Sequence, residues 1–177
     1  MRVIAGSARG IPLKAPAGMD TRPTVDKVKE AVFGSLQFFL PGSRVLDLFA
    51  GSGALGIEAL SRGAAAAVLV EKQAAAMAVI RQNLRAARCE AGATLLQMDY
   101  LAALSRLREP FSFIFLDPPY AAGFYYPAMR AIRERELLAP GGRIVAEHDG
   151  SLEIPEGFSE ARRKKYGKTY ISYLTEE

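Results

Sequence analysis

Cysteine and histidine each occur once in the 177 residues, as Cys89 and His148. A lone cysteine can close no internal disulfide and build no cysteine-based zinc site, and a lone histidine removes most other ligand sets. No metal and no redox chemistry are therefore expected. No apolar run reaches the length that spans a bilayer, and the opening MRVIAGSARGIPLK has no apolar leader core, so a cytoplasmic protein without a membrane partner is expected. What the chain does contain is a 50% hydrophobic composition at a length near the mode for one domain, enough to bury a large core. Net charge is +4, and the basic residues gather near the two ends: Arg2, Arg9, Lys14, Arg22, Lys27 and Lys29, then Arg162, Arg163, Lys164, Lys165 and Lys168. Clustering outside an apolar middle favours an anionic partner such as nucleic acid, against the simpler reading of a solvated face.

The order of segments predicts an α/β chain. Two short β-like runs, 2–5 and 11–14, flank Gly6-Ser7-Ala8-Arg9-Gly10 and read as a hairpin with Arg9 at its tip. Thr24 is placed to cap a helix, with Asp26 in its first turn and Val25, Val28, Val32, Leu36 and Phe39 at helical spacing until Pro41-Gly42. Strand-like and helical stretches then alternate: VLDLF and a helix from about Ala54, AAVLVE and a helix through Leu84, ATLLQM, FSFIFLD, a helix around 128–135, and RIVAEH after Pro140-Gly141-Gly142. Alternation of this kind implies a mostly parallel sheet covered by helices on both faces. FSEARRKKY and TYISYLTEE flank Gly167 without a helix between them, which predicts a closing hairpin and an antiparallel edge. His148 is expected in an exposed loop after the fifth strand, and Cys89 at a packed helix end. Residues 1–42, a hairpin and a helix, are expected as an appendage of the same domain.

RVLDLFAGSGALGIEAL sets Gly51, Gly53 and Gly56 after a strand and at a helix start, and Glu71 follows Gly51 by 20 positions, at the end of the next strand. That spacing suits a nucleotide-type ligand whose ribose hydroxyls donate to the acid. Phe49, Ala50 and Ser52 share the loop, and Lys72 adjoins Glu71. A nicotinamide cofactor and S-adenosylmethionine (SAM) both fit the glycines. Asp47 favours SAM, because a carboxylate there disfavours pyrophosphate and suits an ammonium and a sulfonium. Asp99, followed by Tyr100, either accepts from an adenine amino group or caps the next helix.

Asp117-Pro118-Pro119-Tyr120 ends the fourth strand on the same edge. A planar amine on a base is a poor nucleophile, so a catalyst must hold it with acceptors that strengthen as positive charge develops. The Asp117 carboxylate and the Pro118 carbonyl can do so, the prolines making a stiff loop, and Tyr120 offers a ring for a flipped-out base.

DPPY resembles the motif of methyltransferases acting on exocyclic amines, and with the glycine loop the chain looks like a class I SAM-dependent enzyme. RVIAGSARGIPLKAP, TRPTVDKVKEAVF and the closing KKYGKTYISYL are similar to the bacterial 16S ribosomal RNA guanine-N2 methyltransferase family, the RsmD family. The resemblance covers essentially the whole chain. It implies a Rossmann-like fold with a seven-stranded, mostly parallel sheet and an antiparallel last strand, residues 43–177 forming the SAM-dependent methyltransferase domain after the amino-terminal hairpin extension. It implies methyl transfer from SAM to guanine N2, of the guanine-966 type, in 16S rRNA or an assembling 30S subunit. A monomer is expected. Arg9, Lys27, Arg162, Arg163, Lys164, Lys165 and Lys168 are the candidate RNA contacts; Arg22 and Thr24 reach either the cofactor or RNA. Lys27 and Lys29 stand where the family commonly has arginine. Rival readings keep the fold and change the substrate to adenine N6 or a protein amide, or leave a non-catalytic RNA-binding assembly factor.

Overall fold

The computed structural model describes residues 1–19, 23–119 and 123–177; at Pro23 and Thr24 it describes the backbone alone. Five helices and seven strands follow in the order α1 (Pro23–Leu36), β1 (Arg44–Asp47), α2 (Ala54–Ser61), β2 (Ala66–Val70), α3 (Ala74–Ala87), β3 (Ala93–Leu96), α4 (Tyr100–Arg106), β4 (Phe111–Leu116), α5 (Tyr125–Glu134), β5 (Leu138–His148), β6 (Phe158–Tyr166) and β7 (Thr169–Glu176). One seven-stranded sheet is ordered β3-β2-β1-β4-β5-β7-β6. β1 pairs in parallel with both β2 and β4, β4 with β5, and β7 runs antiparallel to β5 and β6. The class I methyltransferase architecture expected from the sequence is borne out, including the closing hairpin.

The pleat divides the core. Val45, Phe115 and Val145 point to one face and pack against Val32 and Phe33 of α1, Ile57 of α2 and Ile80 of α3. Leu46, Ile114 and Ile144 point to the other and meet Leu104 of α4 and Met129 and Ile132 of α5. Strands covered on both faces read as continuous apolar runs, which is why VLDLF and FSFIFL carry almost no alternation. Strand order reverses between β1 and β4, so their carboxyl ends open the crevice in which sheets of this kind bind ligands.

Several local expectations change. The amino-terminal hairpin shrinks to a single antiparallel bridge, Arg2 with Pro12, with Val3 N–H donating to Ile11 at 2.9 Å. Gly10 and Leu13 N–H also donate across it, to Val3 and Met1 at 2.8 and 2.9 Å, but other donors turn to α2: Ile4 and Ala5 N–H reach the Glu58 carboxylate at 2.9 and 3.1 Å, and Ala8 N–H reaches Ser61 Oγ at 2.9 Å. Helix α1 begins at Pro23, whose missing N–H costs nothing in the first turn, so Thr24 is its second residue and not its cap. It ends at Leu36, leaving Phe39 exposed. Helix α5 starts at Tyr125, three residues before the expected 128. Strand β5 runs back through Pro140-Gly141-Gly142 to Leu138, and a register shift against β4 between Phe111 and Phe113 absorbs the extra residues. His148 is no loop residue: it ends β5, is 1% exposed, and bonds Ser172 Oγ at 2.7 Å. Cys89 is buried just beyond α3, as expected.

Candidate active site

The loop from β1 to α2 is held from several sides. Gly51 and Gly53 adopt φ of 57° and 81°, the left-handed region where glycine is unstrained. Ala50 N–H donates to the Val70 carbonyl at 2.9 Å, Gly51 N–H to Glu71 Oε2 at 2.9 Å, and Asn83 Nδ2 to the Ser52 carbonyl at 2.9 Å. Beneath the loop, Asp47 accepts from Gly56 N–H at 3.0 Å. It is 1% exposed and supports the loop backbone from below. Burial pushes its carboxyl up to about 7; the Gly56 bond opposes that rise and the Glu71 charge adds to it.

Above this loop lies a cavity of about 920 Å³ along the carboxyl ends of the parallel strands. At one end Gly51, Ser52, Glu71 and Lys72 form the wall. Glu71 also accepts from Gln73 N–H at 3.0 Å, which fixes its orientation. Phe49, Tyr100 and Phe124 make an aromatic side, with ring centroids 5.0 to 5.6 Å apart and Phe49 stacked on Phe124 at 7°. Sequence reasoning missed Phe124, which precedes α5 and carried no motif. Asp99 Oδ1 accepts from Leu101 N–H at 2.9 Å and caps α4, so the capping alternative is realised, and the residue lines the cavity as well.

The opposite end is formed by Asp117, Pro118, Pro119 and Glu147, with Lys168 and Thr169 at the β6–β7 turn. Burial, then the charges of Glu147 and Asp47, holds the Asp117 carboxyl well above the usual carboxylate range. Tyr120 and Arg22 lie outside the described residues, as does the Thr24 side chain. An acceptor for hydroxyls, an aromatic wall and an acidic floor in one cavity fit a nucleoside-type ligand that carries positive charge. Among the described residues no group of His, Cys, Asp and Glu is arranged to hold a metal ion.

The basic candidates fall in different places. Arg9 and Lys27 are exposed. Lys29 is not a surface cation: it is 3% exposed, donates to the Arg2 carbonyl and lies 3.3 Å from Glu58. Along β6 the run splits by strand alternation. Arg162 and Lys164 pair with Tyr173 and Ile171, whereas Arg163 and Lys165 pair with Ser172 and Tyr170. Arg162 lies over the Tyr173 ring, and Arg163 and Lys165 over that of Tyr170.

A family model described as "Conserved hypothetical protein 95" matches residues 1–175. The chain belongs to this family. A Bacillus subtilis (strain 168) protein named "Putative rRNA methyltransferase YlbH" is 42% identical over 97% of this chain and 97% of its own length. "Ribosomal RNA small subunit methyltransferase D" of Escherichia coli (strain K12) is 34% identical over 95% of this chain and 86% of its own. A solved structure, "Putative methyltransferase yhhF from Escherichia coli", superposes with a TM-score of 0.89 at 32% identity, covering 100% of this chain and 98% of that one. The RsmD-type membership expected from the sequence is borne out, and the chain is a methyltransferase of this family.

Proposed function

We propose that this family member transfers the methyl group of SAM to the exocyclic N2 of a guanine in 16S rRNA, of the guanine-966 type, during 30S subunit assembly. The observation that carries the reading is one cavity with Glu71 and the glycine loop at one end and Asp117 with Pro118 at the other, across the strand-order reversal. Glu71 would accept from ribose hydroxyls, Phe49, Tyr100 and Phe124 would flank the adenine ring, and the Gly51–Gly53 backbone would take the amino-acid end, with Ala50, Ser52, Lys72 and Asp99 completing the cradle. When bound, SAM supplies an electrophilic methyl group on a sulfonium.

Every other part of the chemistry rests with the chain. Asp117 and the Pro118 carbonyl accept the two amine hydrogens, and the stiff Pro118-Pro119 pair keeps them aimed. As the nitrogen becomes cationic, Asp117 is placed to take its proton. Tyr120 is assigned the flipped base. Arg9, Lys27, Arg162, Arg163, Lys164, Lys165 and Lys168 are assigned to RNA phosphates, Lys168 at the cavity rim, and Arg22 and Thr24 to cofactor or RNA. We also infer a cytoplasmic monomer in which residues 1–42 extend the 43–177 domain. Supplying tritiated SAM to the protein with naked 16S rRNA, 30S particles, DNA or protein tests the substrate class. Label is expected in the rRNA samples; label elsewhere, with SAM bound normally, would overturn the reading.

A further inference from the structure

Glu147 is the acid at this site to which the sequence reading gave no task. Phe115 of β4 and Val145 of β5 are partners in the parallel ladder, on the same face of the sheet. Glu147 stands two residues beyond Val145 in β5, Asp117 directly follows the end of β4, and both line the cavity, where the Glu147 charge acts on Asp117. Glu147 sits on a rigid support: β5 is flanked by β4 and β7, Glu147 pairs with Ile171, and the Tyr125 hydroxyl donates to its carbonyl. The geometry therefore presents two neighbouring carboxylates to whatever enters beside Pro118.

Neighbouring acceptors call for neighbouring donors. Adenine and cytosine carry their amines beside a ring nitrogen with a lone pair, adenine N1 or cytosine N3, and a carboxylate opposite that atom would oppose acceptor to acceptor. Guanine differs, since its N2 amine adjoins the N1–H donor. We infer that Glu147 reads the guanine N1–H while Asp117 and the Pro118 carbonyl hold the N2 amine, which makes Glu147 a specificity-determining residue. This rests on the proposed methylation of guanine. The same two acceptors favour guanine and disfavour the other amines.

The probe is an RNA carrying either guanosine or the 2-aminopurine ribonucleoside at the position mapped as methylated by the wild-type enzyme. The 2-aminopurine base keeps the amine and lacks N1–H. Wild type is expected to prefer guanine by about a hundredfold in kcat/KM, because a site built around a donor rejects the analogue lacking it. E147Q, whose amide also donates to a ring lone pair, should bring the preference below about tenfold while SAM affinity stays unchanged. D117N should depress both substrates alike. Equal use of the two bases by wild type would overturn the assignment, and that arm stands even if E147Q does not fold. A ratio in E147Q equal to wild type would also overturn it, with guanine methylation itself intact. Absence of any guanine methylation by wild type would instead remove the proposed function.

Discussion

Asp47→Asn isolates the energetic consequence of burying a carboxyl beneath the glycine loop. The native group ionises only near pH 7, at 1% exposure, whereas in the unfolded chain it ionises near about 4. Between those values the folded chain holds a proton that the unfolded chain has released, so stability falls as pH rises through this window, and the full penalty is present above it. A shift of about 3 units at about 1.4 kcal/mol each sets an upper value of about 4 kcal/mol. Asparagine keeps an oxygen for the Gly56 N–H and cannot ionise, so it escapes the penalty. Urea unfolding of both proteins from pH 4.5 to 8 should give nearly equal stabilities at the acid end. At pH 8 the variant should be more stable by about 2 to 4 kcal/mol, the lower figure allowing for water entering the loop. A difference that stays flat with pH, or a variant less stable at pH 8, would refute the argument, because the ionised carboxylate would then be stabilised in place.

Two further substitutions probe the elements around the site. Glu58→Gln removes the carboxylate that serves Ile4, Ala5, Lys29 and Arg62 at once. It leaves the Lys29 ammonium buried, with an expected loss of about 3 to 5 kcal/mol in urea unfolding, and a loss under about 1 kcal/mol would contradict that account. Replacing Arg162, Arg163, Lys164 and Lys165 together by glutamine should weaken RNA binding and lower the slope of log affinity against log salt by about 3. An unchanged slope would show that β6 makes no phosphate contacts.

The features legible in the sequence were those written in local chemistry. The runs of β1, β2 and β4, the glycine loop and the strand-ending DPPY needed no tertiary information, because apolar continuity, turn glycines and paired prolines act on the backbone where they stand. Long-range competition decided the rest. Residues 2–5 read as a strand, but the Ile4 and Ala5 N–H groups find the Glu58 carboxylate, which shortens the hairpin. Pro140-Gly141-Gly142 reads as a turn, yet it lies within β5 because the shift at Phe111–Phe113 accommodates it. His148 reads as a loop residue after the fifth strand; the neighbouring strand β7 pairs Tyr170 with it and supplies Ser172, which holds it in β5. Asp47 sits on the expected strand end but turns its carboxylate to Gly56. Glu147 had a signal available, an acid at the carboxyl end of a buried strand, and its meaning emerges only when β5 is known to lie beside β4.

The most direct measurement is mass spectrometry of nucleosides from 16S rRNA or 30S particles incubated with SAM and either the wild-type protein or Asp117→Asn. The account predicts N2-methylguanosine at one position with wild type, and its loss with the variant although SAM still binds. Methylation of another base, or a variant that forms the product at the wild-type rate, would contradict it.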